Sequence, residues 1–328
     1  MRSVISLLRT PWRPSVSFPL RPGAALVAGA ALLALTGCGS SSTAAGAPTS
    51  SAGGSTASSG TLQVVASTDV WGDVAKSVGG DAVQVTSFIS DPSQDPHSYE
   101  ASARNQLAVK SAAVIVENGG GYDDFMEKLV SAAGSTAPVV NAVDVSGKAT
   151  SAGDELNEHV WYDLPTTAKV AEAIAEQLGK ADPAQAATFT ANAKAFADGL
   201  APLEAQEAQV ASKAAGTKVG ITEPVPDYLL EAMGLQVATP PAFSEAVEEG
   251  TDVSPAVLAQ TEAQYTDKEV RALVYNEQTT GAETDAVKAA ATAAGIPVVP
   301  VTETLPDGDT YTAWMSANIS AIRTAVGL

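Results

Sequence analysis

The chain has 328 residues, with 18 Lys and Arg against 37 Asp and Glu, two His and one Cys. The formal net charge of −19 argues against nucleic-acid binding, which needs a basic surface. A single Cys excludes a disulfide framework and a Cys-rich zinc module, and two His exclude a site that needs three imidazoles. The length is enough for two domains of about 100–150 residues each.

Residues 1–37 have the form of a secretory signal peptide. Four Arg residues precede the apolar run Ala24–Leu35, which is too short for a membrane span of about 20 residues. The run ends at Leu-Thr-Gly-Cys, which resembles a bacterial lipobox, so Cys38 is predicted to become the lipidated first residue of the mature protein. The alternative is a buried free Cys after an ordinary signal peptide.

A flexible tether is predicted to follow the signal. Residues 39–60 are almost all Gly, Ser, Thr and Ala, and such a segment buries too little apolar surface to fold. With Cys38, the tether spans residues 38–60, and its root-mean-square reach is about 25 Å. Removal of residues 1–37 would bring the net charge to −23.

The rest of the chain alternates short apolar runs with Ala-rich helical stretches. Several runs are apolar at consecutive positions, as in strands that are buried on both faces of a parallel sheet. The predicted strands are Leu62–Ala66, Val83–Ile89, Ala113–Val116, Pro138–Val145, Lys218–Thr222, Val270–Tyr275 and Val298–Thr302. The alternation predicts an α/β fold with two lobes, each a mostly parallel sheet flanked by helices.

One long helical stretch separates the two groups of strands. Residues 183–215 contain no predicted strand, and apolar residues recur there at spacings of three, four and seven. We therefore expect an N-terminal lobe at 61–182, a connecting helix at 183–215 and a C-terminal lobe at 216–328. Asp182-Pro183 is predicted to begin that helix, and Pro202 is expected to kink or break it.

Four residues with metal-binding side chains stand near predicted strand ends or in loops. His97 lies in a turn-rich loop after Val83–Ile89, and His159 precedes a helix near residue 165. Glu223 and Glu303 each follow a predicted strand directly, and ligands of open α/β sheets bind beyond the carboxyl ends of strands. Each residue alone is more typical of a solvated loop, but two imidazoles and two carboxylates together suit a divalent transition metal.

These motifs also carry a family resemblance along essentially the whole folded chain. The segments that carry it are Leu62-Gln-Val-Val-Ala-Ser67, Asp95-Pro-His-Ser-Tyr-Glu100, His159-Val-Trp-Tyr-Asp163, Lys218-Val-Gly-Ile-Thr-Glu-Pro224 and Val298-Val-Pro-Val-Thr-Glu303. The chain resembles the zinc/manganese class of ABC-transporter solute-binding lipoproteins. The resemblance implies two α/β lobes joined by one long helix, with the metal site in the cleft between them, and it implies His97, His159, Glu223 and Glu303 as the ligands.

The chain departs from the family pattern at two places in particular. Glu303 stands where the family usually has the shorter Asp, and Pro202 is unexpected in the family's connecting helix. The ligand set leaves Zn²⁺ and Mn²⁺ open: oxygen ligands suit Mn²⁺, but most such sites bind Zn²⁺ more tightly.

The resemblance implies the binding component of an importer, not an enzyme. The protein would capture one Zn²⁺ or Mn²⁺ ion as a monomer at the outer face of the membrane and deliver it to an ABC permease and its ATPase. Two alternatives are a surface adhesin or scaffold with a structural metal, and a secreted metallohydrolase. A hydrolase needs an open metal position and a general base, and no His would remain for acid–base work.

The lipobox interpretation makes a direct prediction about the location of the protein. We expect Cys38→Ser to release the protein from membranes into the soluble fraction, because the lipid would have no sulfur to bond. Cell fractionation and immunoblotting measure the distribution, and retention of Cys38→Ser in the membrane fraction would contradict the assignment.

Overall fold

The computed structural model describes residues 60–148 and 156–328, except for 92, 95 and 98. The predicted signal peptide at 1–37, Cys38 and all of the predicted tether except Gly60 lie outside the described residues. Within the part that is described, none of the helices has both the length and the apolar character needed to cross a membrane.

The N-terminal lobe is built on a four-stranded parallel sheet. Its strands are β1 (Leu62–Thr68), β2 (Val83–Ile89), β3 (Val114–Glu117) and β4 (Val139–Asn141). The order across the sheet is β2-β1-β3-β4, and Val64 pairs with both Val85 and Val114. All of β3 is buried, which is expected for a central strand that is covered on both faces.

The C-terminal lobe contains a second parallel sheet with the same pattern of crossovers. Its strands are β5 (Lys218–Ile221), β6 (Gln236–Val237), β7 (Leu273–Asn276) and β8 (Val298–Val301), in the order β6-β5-β7-β8. The α/β fold with two parallel-sheet lobes is therefore confirmed.

Helices connect the strands of each sheet. The N-terminal lobe has α1 (Asp69–Gly79), α2 (Ala103–Ser111), α3 (Phe125–Ala133), α4 (Ala142–Ser146) and α5 (Leu164–Ala181). After α6 (Ala186–Ala214) come α7 (Asp227–Ala232), α8 (Pro241–Glu248), α9 (Pro255–Thr266), α10 (Ala282–Ala293) and α11 (Tyr311–Ala325). Short 3₁₀ helices occur at Gly80–Ala82 and Val160–Tyr162.

Two predicted element boundaries are wrong for local reasons. Pro138–Val145 was expected to be one strand, but β4 ends at Asn141, whose side chain accepts a hydrogen bond from the Asp144 amide and begins α4. The Asp182 side chain accepts from Ala184 N at 3.1 Å, which forms a local turn before α6 begins at Ala186. Strand β6 was not predicted, because its two exposed residues carry no apolar run.

Helix α6 connects the lobes as one unbroken element of 29 residues, about 44 Å long. The predicted break at Pro202 does not occur. Pro202 and Asp198 are exposed residues of the helix, and on an exposed side water can bond to the Asp198 carbonyl that loses its amide partner. The opposite side is buried, as predicted, at Phe189, Ala193, Phe196, Leu200, Leu203 and Val210. Burial of that face holds the helix together across the proline.

Helix α11 contacts both lobes and α6. The Tyr311 hydroxyl donates to the Trp161 carbonyl at 2.6 Å and lies 2.9 Å from Thr167 Oγ1. The Tyr311 amide donates to Asp73 of α1 at 2.9 Å. The C-terminal helix therefore ties β8, which it follows, to the N-terminal lobe.

One buried carboxylate interrupts the apolar face of α6. Glu207 is 5% exposed, and its Oε1 atom has no hydrogen-bond partner among the described residues. Burial raises the pKa of Glu207 to about 7, and the carboxylates of Glu204 and Asp163 add to the shift. An acid with a higher pKa in the folded state destabilises the fold as pH rises from its unfolded to its folded pKa. Ionised Glu207 therefore opposes folding.

We predict that Glu207→Gln stabilises the protein at neutral pH and above. Below a pH of about 4.5 the wild-type carboxyl is neutral in both states, so the variant gains little. The gain should grow up to the folded pKa of about 7 and then level off at about 1–2 kcal/mol. Urea unfolding over this pH range measures it. Glu172→Gln is the control, because Glu172 is an exposed residue of α5, and a similar pH-dependent gain in that variant would contradict the prediction.

Candidate functional site

The ends of several strands and helices converge on one cavity between the lobes. Its volume is about 830 Å³, and its walls include His97, Glu158, Glu223, Glu248 and Glu303. Glu223 and Glu303 come just after β5 and β8, as predicted from strand-end geometry. His159 directly precedes the 3₁₀ helix Val160–Tyr162. Its ring lies next to the cavity residue Glu248, with Nε2 3.4 Å from Glu248 Oε1.

His159 is fully buried, and one of its ring nitrogens is already engaged. Its Nδ1 lies 2.8 Å from Asn157 Oδ1, which also accepts from the His159 amide at 2.9 Å. Since that oxygen can only accept, Nδ1 carries the proton and donates. Nε2 lies 3.4 Å from Glu248 Oε1 and has no hydrogen-bond partner among the described residues. A second contact that fixes the tautomer is the usual arrangement for a metal-binding His.

Asn157 also reaches the other lobe. Its Nδ2 donates to the Pro224 carbonyl at 2.8 Å, and its own carbonyl accepts from the Tyr228 hydroxyl at 2.7 Å. Pro224 follows Glu223 directly, so one amide side chain connects His159 to the segment that carries Glu223.

His97 lies at the rim of the cavity with about a third of its side chain exposed. Its Nε2 is 3.4 Å from Glu248 Oε1 and 3.9 Å from Glu158 Oε1. Its ring packs edge-on against Tyr122, with ring centroids 5.3 Å apart. These contacts leave His97 open to solvent on one side and to the carboxylates on the other.

The Asn276 side-chain amide donates a hydrogen bond to both Glu223 and Glu303. Asn276 Nδ2 donates to Glu223 Oε2 at 2.7 Å and to Glu303 Oε1 at 2.8 Å. The Tyr122 hydroxyl donates to Glu303 Oε2 at 3.0 Å. Burial, together with the carboxylates of Glu248 and Glu303, raises the pKa of Glu223 to about 8. Burial likewise raises the pKa of Glu303. Two carboxylates that repel each other in a buried space are electrostatically suited to a cation.

The glycine-rich turn after β3 puts Tyr122 in this position. Gly119, Gly120 and Gly121 all have positive φ values, of 77°, 71° and 97°, which other residues rarely adopt. The segment is thus a turn. The Tyr122 ring also lies 4.7 Å from that of Trp161, which packs 5.1 Å from the His159 ring. Both aromatic rings are buried, so the inner wall of the site is largely apolar.

Glu248 is a cavity residue that the sequence analysis did not place among the ligands. It is the last residue of α8, and its Oε1 atom lies 3.4 Å from the Nε2 atoms of both His97 and His159. Burial alone would raise its pKa, but the two imidazoles outweigh burial and lower it. In turn, burial would lower the pKa of His159, but Glu248 outweighs it and raises that pKa. His97, Glu158 and Glu248 also offer ligand atoms that all lie within 4.8 Å of one another.

The only signal for Glu248 in the sequence is helical spacing. Ser244 and Val247 of α8 are buried, and residue 248 lies one turn after Ser244 on the same face. That spacing predicts partial burial but gives no indication of two His residues from the other lobe. The contact of Glu248 with the two His residues therefore arises only from the three-dimensional fold.

Curated relatives match parts of the chain. The manganese-binding lipoprotein MntA of Halalkalibacterium halodurans is 30% identical over 143 residues, which are 44% of this chain and 47% of MntA. The iron ABC transporter substrate-binding lipoprotein MtsA of Streptococcus pyogenes is 29% identical over 224 residues, which are 60% of this chain and 71% of MtsA. The chain thus spans about half the length of the first relative and about two thirds of the second.

A solved structure shows the same fold at lower identity. The periplasmic zinc-binding protein TroA from Treponema pallidum has a TM-score of 0.69 and 21% identity, and the match covers 82% of this chain and all of TroA.

The family description that matches is zinc-uptake complex component A, periplasmic, and it covers residues 64–325. This range includes both sheets except the first two residues of β1, together with α6 and all five cavity residues described above. The resemblance stated from the motifs is therefore confirmed. The chain belongs to the family of the periplasmic zinc-uptake complex component A.

Proposed function

We propose that this protein is the extracytoplasmic solute-binding component of an ABC importer and not an enzyme. It captures one divalent transition-metal ion between its lobes and delivers the ion to a membrane permease and its ATPase. The observation that carries the proposal is the buried Nε2 of His159, which has no hydrogen-bond partner among the described residues and lies 3.4 Å from Glu248, a residue that lines a cavity rich in carboxylates. A cation that accepts its lone pair would satisfy this nitrogen.

The proposed ligands are His97, His159, Glu223 and Glu303. Two neutral imidazoles and two carboxylates provide borderline and hard donors, which suit Zn²⁺ or Mn²⁺. Two asparagines orient these proposed ligands through hydrogen bonds. Asn157 fixes the His159 tautomer, and Asn276 orients the carboxylates of Glu223 and Glu303.

The ion itself is proposed as Zn²⁺ or Mn²⁺. The names of relatives refer to manganese, iron and zinc, so the family accommodates several ions of similar charge. A site with both nitrogen and oxygen donors binds Zn²⁺ more tightly than Mn²⁺ in general, and the ion available in the compartment decides which one is carried.

The proposal includes a membrane anchor at Cys38 and a monomeric, tethered protein at the outer face of the membrane. The two relatives described above are named lipoproteins, which supports the lipobox interpretation. The net charge of −23 without residues 1–37 favours the approach of cations to the site. Neither the adhesin nor the metallohydrolase alternative is favoured by a contact in the described part of the cavity.

We expect His159→Ala and His97→Ala each to weaken Zn²⁺ and Mn²⁺ binding by about 100-fold or more, because each removes a directly bound nitrogen. Titration of the chelator-stripped soluble domain measures the affinities, and metal analysis of protein from the native host should find about one ion per chain. Affinities that stay at the wild-type value in both variants would refute the site.

Glu303→Ala tests whether Glu303 is a ligand or only a neighbour of the ion. We expect the affinity for Mn²⁺ to fall by about 10-fold or more, since the variant loses one oxygen donor and one negative charge. Glu277→Ala is the control, because Glu277 is exposed and is not among the cavity-lining residues. A loss below about threefold for Glu303→Ala would mark Glu303 as a bystander.

A further inference from the structure

We propose that Glu248 is a fifth protein ligand of the bound ion, added to His97, His159, Glu223 and Glu303, and that it shifts the preference of the site toward ions that accept five or more ligands. This inference rests on the proposed function, since it concerns the same cavity and the same ion. Glu248 belongs to α8, whereas Glu223 and Glu303 follow the strands β5 and β8.

The distances around Glu248 match those between atoms that share an ion. Two ligand atoms with bond lengths of about 2.1 Å lie about 3.0–3.4 Å apart when the bond angle is about 90–109°. Glu248 Oε1 is 3.4 Å from His97 Nε2 and 3.4 Å from His159 Nε2. Both separations therefore fit one ion that is bound by Glu248 together with either imidazole.

The same distances are long for a simple ion pair. A charged imidazole that donates to a carboxylate approaches to about 2.7–2.9 Å, and neither His reaches this distance from Glu248. Glu158 is still farther from His97, at 3.9 Å.

The hydrogen-bonding state of the buried atoms points the same way. His159 is fully buried, its Nδ1 is occupied by Asn157, and its Nε2 faces Glu248 without a hydrogen bond among the described residues. Glu248 Oε2 is also buried and has no hydrogen-bond partner within that part of the chain. Buried polar atoms are normally satisfied, and an ion next to Oε1 and Nε2 provides the missing partner for the nitrogen.

A third carboxylate changes the class of ion that the site prefers. With Glu248, the donors are two nitrogens and three carboxylates, which is more than the four ligands of a tetrahedral Zn²⁺ site. Mn²⁺ and Fe²⁺ prefer oxygen donors and higher coordination numbers. Removal of Glu248 should therefore weaken Mn²⁺ binding more than Zn²⁺ binding.

The test compares Glu248→Gln with Glu249→Gln in the chelator-stripped protein. The two variants remove the same charge at adjacent positions of one cavity, but Glu249 is exposed. We expect Glu248→Gln to raise the Mn²⁺ dissociation constant by about 30-fold or more and the Zn²⁺ constant by a smaller factor, with less than about a threefold change in Glu249→Gln. Mn²⁺ constants within threefold of each other in the two variants would overturn the proposal, and so would an equal loss for both ions.

A second measurement reports on the atoms around the bound ion directly and not through the affinity. X-ray absorption of the wild-type protein loaded with Mn²⁺ should give five or six nitrogen and oxygen neighbours, and the Glu248→Ala protein should have a changed shell in which water replaces a carboxylate. An identical spectrum in Glu248→Ala overturns the assignment of Glu248. Absence of Mn²⁺ and Zn²⁺ binding in the wild type would instead refute the proposed function, and the fifth ligand with it.

Discussion

Repulsion between buried carboxylates is the constraint on which the arrangement of the cavity depends. Glu223, Glu248 and Glu303 share one space, and burial alone would raise the pKa of each. The surrounding residues offset this in two ways. Asn276 places one amide between Glu223 and Glu303, and the imidazoles of His97 and His159 face Glu248. The amide and the two imidazoles are thus oriented by the negative charge of the three carboxylates. A bound cation would neutralise that charge more fully.

The two lobes contribute different kinds of groups to this balance. The N-terminal lobe supplies both imidazoles and the Tyr122 hydroxyl, whereas the C-terminal lobe supplies Asn276 and the carboxylates of Glu223, Glu248 and Glu303. The two sheets have the same strand order, so the carboxyl ends of β5 and β8 are equivalent to those of β1 and β4. Direct hydrogen bonds also cross between the lobes, for example from Tyr162 to the Thr302 carbonyl and from the Leu305 amide to Asp69. The site is therefore built from complementary halves.

The sequence predicts those features that depend on local pattern. Short segments rich in Val and Ile predicted β2 with both of its boundaries and most of the other strands. The position of Glu223 and Glu303 directly after strands predicted that they converge. The helix at Asn141 and the two-residue strand β6 were missed, because a side-chain cap and an exposed pairing leave no apolar signature. Pro202 was misjudged because its effect depends on which face of α6 is exposed. Glu248 could not be predicted as a site residue, because its partners are about 90 and 150 positions away in the chain and only the packing of α8 brings them together.

Asn157 couples the His159 ring to the position of the opposite lobe. Its side-chain oxygen holds the His159 ring, and its side-chain nitrogen holds the Pro224 carbonyl in the opposite lobe. Any movement that separates the lobes must stretch this bridge, so either the bond to Pro224 breaks or Asn157 is pulled away from the imidazole. In the second case His159 loses the contact that sets its tautomer and ring direction. Opening of the cleft and loosening of the proposed metal-binding nitrogen would then be one event, transmitted through a single amide group.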